Sequence, residues 1–226
     1  MKLSSETLAI LKNYGNINQG IHFKTGNIIK TISPHKNILT QAEITEEIPC
    51  DFGLYDLNNF LSVISLHKDE PELDFDNRHV LIVGNNERSK IKYRFCDPTM
   101  IVTPPENDIE MPNPEIKFTL TSEDFQWILR AASVLSSPQI GIESDGDKIN
   151  IITFDLQNDS AHTDSLEIGD GNSATFRMIF KTESLTKLLP GSYDVSISSK
   201  GIAFFVNQSV KIQYYVTIES GSFYNE

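Results

Sequence analysis

The sequence is short of cysteine, of positive charge and of long apolar runs, and each shortage removes a class of protein. Its two cysteines, Cys50 and Cys96, have no CxxC spacing and no histidine-rich surroundings, so a zinc site is not expected and reduced, buried thiols of a cytoplasmic protein are. No apolar stretch approaches the ~20 residues that a membrane-spanning helix needs. The opening MKLSSETLAILKNYG is amphipathic and too polar for a signal peptide, so a soluble, intracellular protein with no membrane partner is expected. Nineteen Lys and Arg stand against 31 Asp and Glu, a formal net charge of −12, which favours solubility and argues against a general grip on nucleic acid. A G-x-x-x-x-G-K-[ST] loop is missing, so the chain is not expected to hydrolyse ATP. The five histidines (His22, His35, His67, His79, His162) show neither metal spacing nor an adjacent nucleophile. Asp145 with Asp147, and Asp155 with Asp159, are acid pairs that a metal-dependent nuclease could use. The first pair frames a hairpin turn and the second sits in a polar loop, so no metal, cofactor or catalytic group is expected.

What the chain has is repetition. At 226 residues and 39% hydrophobic content it supports one or two cores. Four stretches, beginning at Ser5 (SETLAIL), Asp56 (DLNNFLSVI), Ser122 (SEDFQWIL) and Thr182 (TESLTKLL), read as a polar cap, an apolar-striped helix and then alternating strands. A unit of one helix and several strands cannot bury its own faces, so such units must assemble with one another, which gives an α+β architecture. The periodicity predicts helices over Ser4 to Tyr14, Asp56 to Leu66, Ser122 to Leu135 and Thr182 to Leu189, the last ended by Pro190-Gly191. Strands are expected at 20–23 and 27–32, hinged by a hairpin at Lys24-Thr25-Gly26-Asn27, and at 37–44, 72–75, 79–83 and 90–95. In the second half they are expected within 141–154 and at 115–120, 164–168, 193–198, 202–206 and 211–219. Turns are expected at Gly84-Asn85-Asn86 and Gly169-Asp170-Gly171. Between Asp97 and Pro114 five prolines break the pattern, predicting an extended connector (98–114) between an N-terminal domain (1–97) and a C-terminal one (115–226).

The chain resembles the DNA sliding clamps, and among them the polymerase processivity clamps of T-even-like bacteriophages. The resemblance rests on MKLS with the helix and the Asn18-Gln19-Gly20-Ile21 that follow, on LYDLNNFLSVISL at Leu54 to Leu66, on CDPTMIV at the start of the connector, and on EDFQWILR at Glu123 to Arg130. It spans essentially the whole chain, and the YDLNNFL block is its most specific part. It departs in the middle strands and in the tail, SGSFYNE. The resemblance implies a DNA-clamp fold of two similar domains, each of two helix-plus-strands repeats, closing head to tail into a homotrimeric ring. It implies helices around a central hole and sheets at the rim, acting in the cytoplasm of an infected host cell. The competing reading is a ring-forming or sheet-rich structural protein of a virus particle, which a processivity assay discriminates.

A ring around duplex DNA needs a lining that neither repels phosphate nor grips it. On the non-core faces of the predicted helices lie Lys2, Lys12, Arg130 and Lys187, with neutral Asn58 and Ser62 from the second helix. These six are the expected DNA-facing residues, set for sequence-independent backbone contact. Glu6, Glu123 and Glu183 fall in first turns, where they complement the helix dipole. Trp127 projects from the far face of the third helix, either as a partly covered packing residue near a subunit contact or as a base-stacking platform. By resemblance, DNA polymerase and late-transcription factors dock short peptides in a crevice beside the connector, and an ATP-dependent clamp loader opens the ring. Met100, Ile101 and Val102 are the expected wall of that crevice, with Leu39, Val210 and Ile212 as its floor. The alternative for each is that it fastens the connector to a domain. Ring closure is expected to pair edge strands, with Lys90 to Phe95 and Asp164 to Ile168 as candidates.

Overall fold

Hydroxyl and carboxylate side chains set where the helices begin. In the computed structural model, which describes every residue except 68, 69, 85–87, 108, 172 and 226, helix α1 spans Ser5–Ile17 and the Ser4 hydroxyl accepts from the Thr7 amide. Helix α2 is Leu57–Ser65, capped by Asp56, whose carboxylate accepts from the Asn59 amide. Helix α3 is Ser122–Leu135, capped by Thr121 on the Asp124 amide. These caps hold first-turn donors that no helical carbonyl can reach. In α1 and α3 the cap therefore sits one residue before the serine that the repeat pattern singles out. Two of the turn residues expected at Gly84-Asn85-Asn86 lie outside the described residues.

The fourth helix is shorter than its apolar spacing suggests. Helix α4 is Thr182–Leu185, with no side-chain cap. Beyond it the chain tightens into three-residue turns, Lys187 N to Ser184 O at 3.3 Å and Leu188 N to Leu185 O at 3.1 Å. The Leu189 carbonyl then accepts from the Tyr193 hydroxyl, and the Leu189 amide donates to the Tyr214 hydroxyl. The tertiary hydrogen bonds take over the groups that a longer helix would use, while Leu185 and Leu188 stay buried.

The chain divides into two units, Met1–Asn107 and Asp108–Glu226, with the boundary inside the proline-rich segment. In the first, β1 (Ile21–Phe23) pairs antiparallel with β4 (Phe52–Leu54), a strand too short for periodicity to reveal. β2 (Gly26–Ile32) pairs with β3 (Ile38–Ile48). The expected hairpin between the first two strands is therefore absent from the described residues, and the connecting turn is held instead by Asp51, which accepts from the Thr25 amide at 2.7 Å and its hydroxyl at 2.8 Å. β5 (Glu72–Phe75), β6 (His79–Val83) and β7 (Lys90–Arg94) form an antiparallel meander. Phe23, Phe52 and Phe95 stack at 4.7 and 4.5 Å between centroids in the core. Cys50 and Cys96 are half-buried thiols rather than fully buried ones, both lying where the chain leaves the sheet.

In the second unit β8 (Ile116–Leu120), β13 (Tyr193–Ser198), β14 (Ile202–Asn207) and β15 (Ile212–Thr217) lie side by side in the order β15-β14-β13-β8. A second sheet has the order β11-β10-β9-β12-β16, from β9 (Gln139–Asp145), β10 (Lys148–Phe154), β11 (Asp164–Asp170), β12 (Thr175–Lys181) and β16 (Phe223–Asn225). Gly169 and Asp170 end β11 rather than forming a turn, and the SGSFYNE tail supplies β16, with Tyr224 stacked on Phe176. β12 and β16 escape the sequence reading because β12 (TFRMIFK) loses its alternation at Met178-Ile179-Phe180 and β16 is three residues long. Phe125, Tyr193, Phe205 and Phe180 form an edge-to-face aromatic core. Burial pushes the Tyr193 hydroxyl up to about 12, against the opposing effect of Asn207.

Candidate DNA-facing and partner surfaces

The four helices bury their apolar stripes within their own units, and α1 packs on α2 as α3 packs on α4. Lys2, which precedes the cap of α1, is exposed, as is the outward set Ser5, Ala9, Lys12 and Asn16 on the helix itself. The crossing of α1 and α2 is close because residue 15 is glycine: a Cβ there would lie 2.3 Å from Asn58 Oδ1. Asn58 Nδ2 donates to the Gly15 carbonyl at 3.0 Å, so this side chain, expected to face DNA, is engaged in holding α2 to α1. Ser62 is exposed, and its hydroxyl donates back to the Asn58 carbonyl at 2.8 Å.

On α3, Arg130 is exposed and its Nε donates to the Gln126 carbonyl one turn back at 3.2 Å. Lys187 lies just beyond α4, its side chain 25% exposed, with Nζ 3.1 Å from a Glu183 carboxylate oxygen. Three of the four cations thus present exposed side chains, while the fourth is partly neutralised by its neighbour. Glu6, Glu123 and Glu183 do occupy first turns, where each complements the helix N-terminus.

The residues named for a partner crevice separate into outward and inward sets. Met100 ends a 3-10 turn (Pro98–Met100) capped by Asp97 and is 64% exposed; Val102 is 40% exposed. Ile101 between them points the other way. A Cβ at Gly20 or at Gly53 would lie 3.1 Å from an Ile101 methyl, so two glycines form the seat on which this isoleucine rests. The Val102 carbonyl accepts from Asn18 Nδ2, and the Cys96 amide donates to the Gly53 carbonyl. Ile101 is therefore a fastener of the connector in this structure. Leu39, on β3, is a core residue. In the second unit Ile212 is buried in β15 and Val210 is half-buried in the preceding loop. A cavity of about 180 Å³ opens in the first unit among Leu3, Leu8, Leu61, Ile64 and Leu73, and none of the six named residues lines it.

The outermost strands carry a signal that alternation alone passes over. β7 ends its meander and β11 ends its sheet, each with one strand neighbour among the described residues. β7 reads KIKYR, and Lys90, Lys92 and Arg94 are its exposed residues. β11 reads DSLEIGD, with Asp164, Glu167 and Asp170 along it. Lys148 of β10 places Nζ 3.0 Å from Glu167 and 2.8 Å from Asp170, which raises the lysine pKa and holds the Asp170 carboxyl below the usual carboxylate range. Even with Lys148 counted, the β11 edge keeps an excess of negative charge and the β7 edge is purely basic. Among the described residues no group of three His, Cys, Asp or Glu is placed to hold a metal ion.

Comparison with known proteins follows the same two units. The family profile described as DNA polymerase processivity factor matches residues 4–103, and that described as gp45 sliding clamp, C terminal, matches residues 117–220. A sliding clamp of Escherichia phage RB69 is 31% identical over 227 residues, covering 98% of this chain and 98% of the relative. That of Vibrio phage KVP40 is 30% identical, covering 97% and 100%, and that of Enterobacteria phage T4 is 34% identical, covering 89% of each. Among solved structures, proliferating cellular nuclear antigen of Entamoeba histolytica superposes with a TM-score of 0.71 at 14% identity, covering 95% of both chains. The corresponding protein of Thermococcus kodakaraensis gives 0.68 at 14% identity, covering 94% of this chain and 95% of the other. At such low identity these two speak for the fold alone.

Proposed function

The chain belongs to the sliding-clamp family of DNA polymerase processivity factors of bacteriophage replication, with the α+β clamp fold, and from that premise we propose that it closes head to tail into a homotrimeric ring around duplex DNA. The observation that carries the ring is the opposite charge of two edge strands, β7 and β11. A basic edge in one unit and an acidic edge in the other give a heterologous contact, which generates a closed ring when the rotation per subunit closes. Pairing β7 of one copy with β11 of the next also covers the open side of each of these two strands.

In this ring Lys2, Lys12 and Arg130 face DNA as exposed cations, Ser62 lies on the same lining, and Lys187 contributes weakly because Glu183 shares its charge. Asn58 contributes by fixing α2 rather than by touching DNA. The remaining acids keep the outer surface from holding stray DNA, so the link to duplex is topological and independent of sequence. The replicative DNA polymerase, and late-transcription factors after it, bring peptides to the exposed Met100 and Val102. Ile101 seats the connector segment that carries them. No chemical step is assigned to the clamp itself, and a separate ATP-dependent loader opens it in the cytoplasm of the infected cell.

Primer extension on a singly primed circle tests this function. With polymerase and loader present, adding the clamp lengthens the products of a single binding event, whereas products of unchanged length would reject it.

A further inference from the structure

Trp127 is the single tryptophan of the chain and is 52% exposed on α3. Its indole N–H can only donate. Nε1 reaches from the helix to Asp164 Oδ2 at 3.0 Å, and Asp164 is the first residue of the outermost strand β11. The Asp164 amide donates at 3.0 Å to the hydroxyl of Thr153, a fully buried residue of β10, so main chain and side chain of this one residue are both tied.

The other end of β11 is also held. The pairing of β10 with β11 skips Ile168, a bulge that shifts the register between Ile149 and Asn150, and Lys148 bridges Glu167 and Asp170 on either side of it. From the first tie to the second, Ser165, Leu166 and Glu167 present one flank with no hydrogen-bonded strand partner among the described residues. A strand that slips by one residue turns every side chain to the wrong face, and a strand already fixed loses less freedom when a second chain pairs with it.

We infer that Trp127 is a positioning residue for assembly: through Asp164 it fixes the start of β11, so that this edge is formed before the next copy's strand arrives. The inference rests on the ring reading above and adds to it a residue outside the pairing strands. It also gives Trp127 a role that requires no stacking on bases.

Sedimentation equilibrium of the full chain over a concentration series tests it. Trp127→Phe keeps the ring and removes the donor; Asp164→Ala removes the acceptor. Each should weaken association by about three- to tenfold per interface, the effect of losing one charge-assisted hydrogen bond in a partly exposed setting. The double variant should be no weaker than either single one, and Asp164→Asn, which keeps an acceptor, should retain more association than Asp164→Ala. Amide exchange at Ser165 to Glu167 should quicken in dilute Trp127→Phe protein while its thermal unfolding midpoint stays that of the unaltered chain. Unchanged association in Trp127→Phe, or a loss that merely follows lowered thermal stability, overturns the inference while the ring stands. An unaltered chain that stays monomeric at every concentration overturns both.

Discussion

Reversing one charge at the centre of β7 is a direct perturbation of the proposed subunit contact. Lys92 lies midway along the basic edge, is exposed, and faces away from the Ile91 and Tyr93 side of its sheet. If β7 and β11 pair, Lys92 lies within cross-strand reach of acidic β11 side chains, where an opposite-charge pair is worth roughly 0.2–1 kcal/mol and a like-charge pair opposes by a similar amount. Lys92→Glu exchanges one for the other, a change of about 0.4–2 kcal/mol per interface, or about two- to thirtyfold in its dissociation constant. Three interfaces share the change, so the shift in trimer assembly is steeper. Sedimentation velocity at low ionic strength should show Lys92→Glu dissociating at markedly higher concentration than the unaltered chain, with the gap narrowing in high salt as screening shortens to a few ångströms. Glu167→Lys should weaken assembly in the same way, and combining the two should restore it, since Lys148 keeps Asp170 as a partner. Equal assembly of Lys92→Glu and the unaltered chain at low salt would refute the charge-matched edge.

Glu46→Gln should destabilise the first unit by about 1–2 kcal/mol, because the Glu46 carboxylate accepts from the Ser4 amide and Thr7 hydroxyl at the start of α1. Burial alone raises its pKa, but these hydrogen bonds outweigh burial and lower it. The stabilisation is therefore complete above the unfolded value near ~4.3 and lost as pH falls through the lower folded value. Thermal unfolding of the two chains should differ at neutral pH and converge in acid. Gly53→Ala would place a Cβ 3.0 Å from the Cys96 carbonyl and 3.1 Å from Ile101, lifting the connector from its seat. A loss of about 1–3 kcal/mol with faster proteolysis after residue 97 is expected, and unchanged cleavage would contradict the fastening role. Met100→Asp and Val102→Asp, both at exposed positions, should weaken binding of a polymerase-derived peptide at least ~10-fold in a competition assay; unchanged affinity would remove that residue from the surface.

The helix cores were legible because each carries an apolar stripe at helical spacing: α3 spans the expected residues, and Asp56 caps α2 as its position suggests. Less legible was anything that a tertiary contact decides. α4 stops early because Tyr193 and Tyr214 claim the Leu189 backbone, and β1 pairs with β4 across 31 residues rather than with its sequence neighbour. Among the candidate site residues, exposure of Lys12 and Arg130 follows from the helical wheel, whereas the engagement of Asn58 depends on Gly15 of another helix. Likewise the opposite directions of Ile101 and its two neighbours depend on glycines at positions 20 and 53, which carry no chemistry of their own. The charges of β7 and β11 stood in the sequence, but only the strand order makes them edges.

The topological link itself is tested most directly by loading the clamp onto a nicked circular duplex, removing free protein, and cutting the circle once. The ring predicts stable retention on the circle and rapid loss after linearisation, at a salt concentration where linear duplex of the same sequence holds none. Retention that is the same on circular and linear DNA would contradict encirclement and leave binding by direct grip.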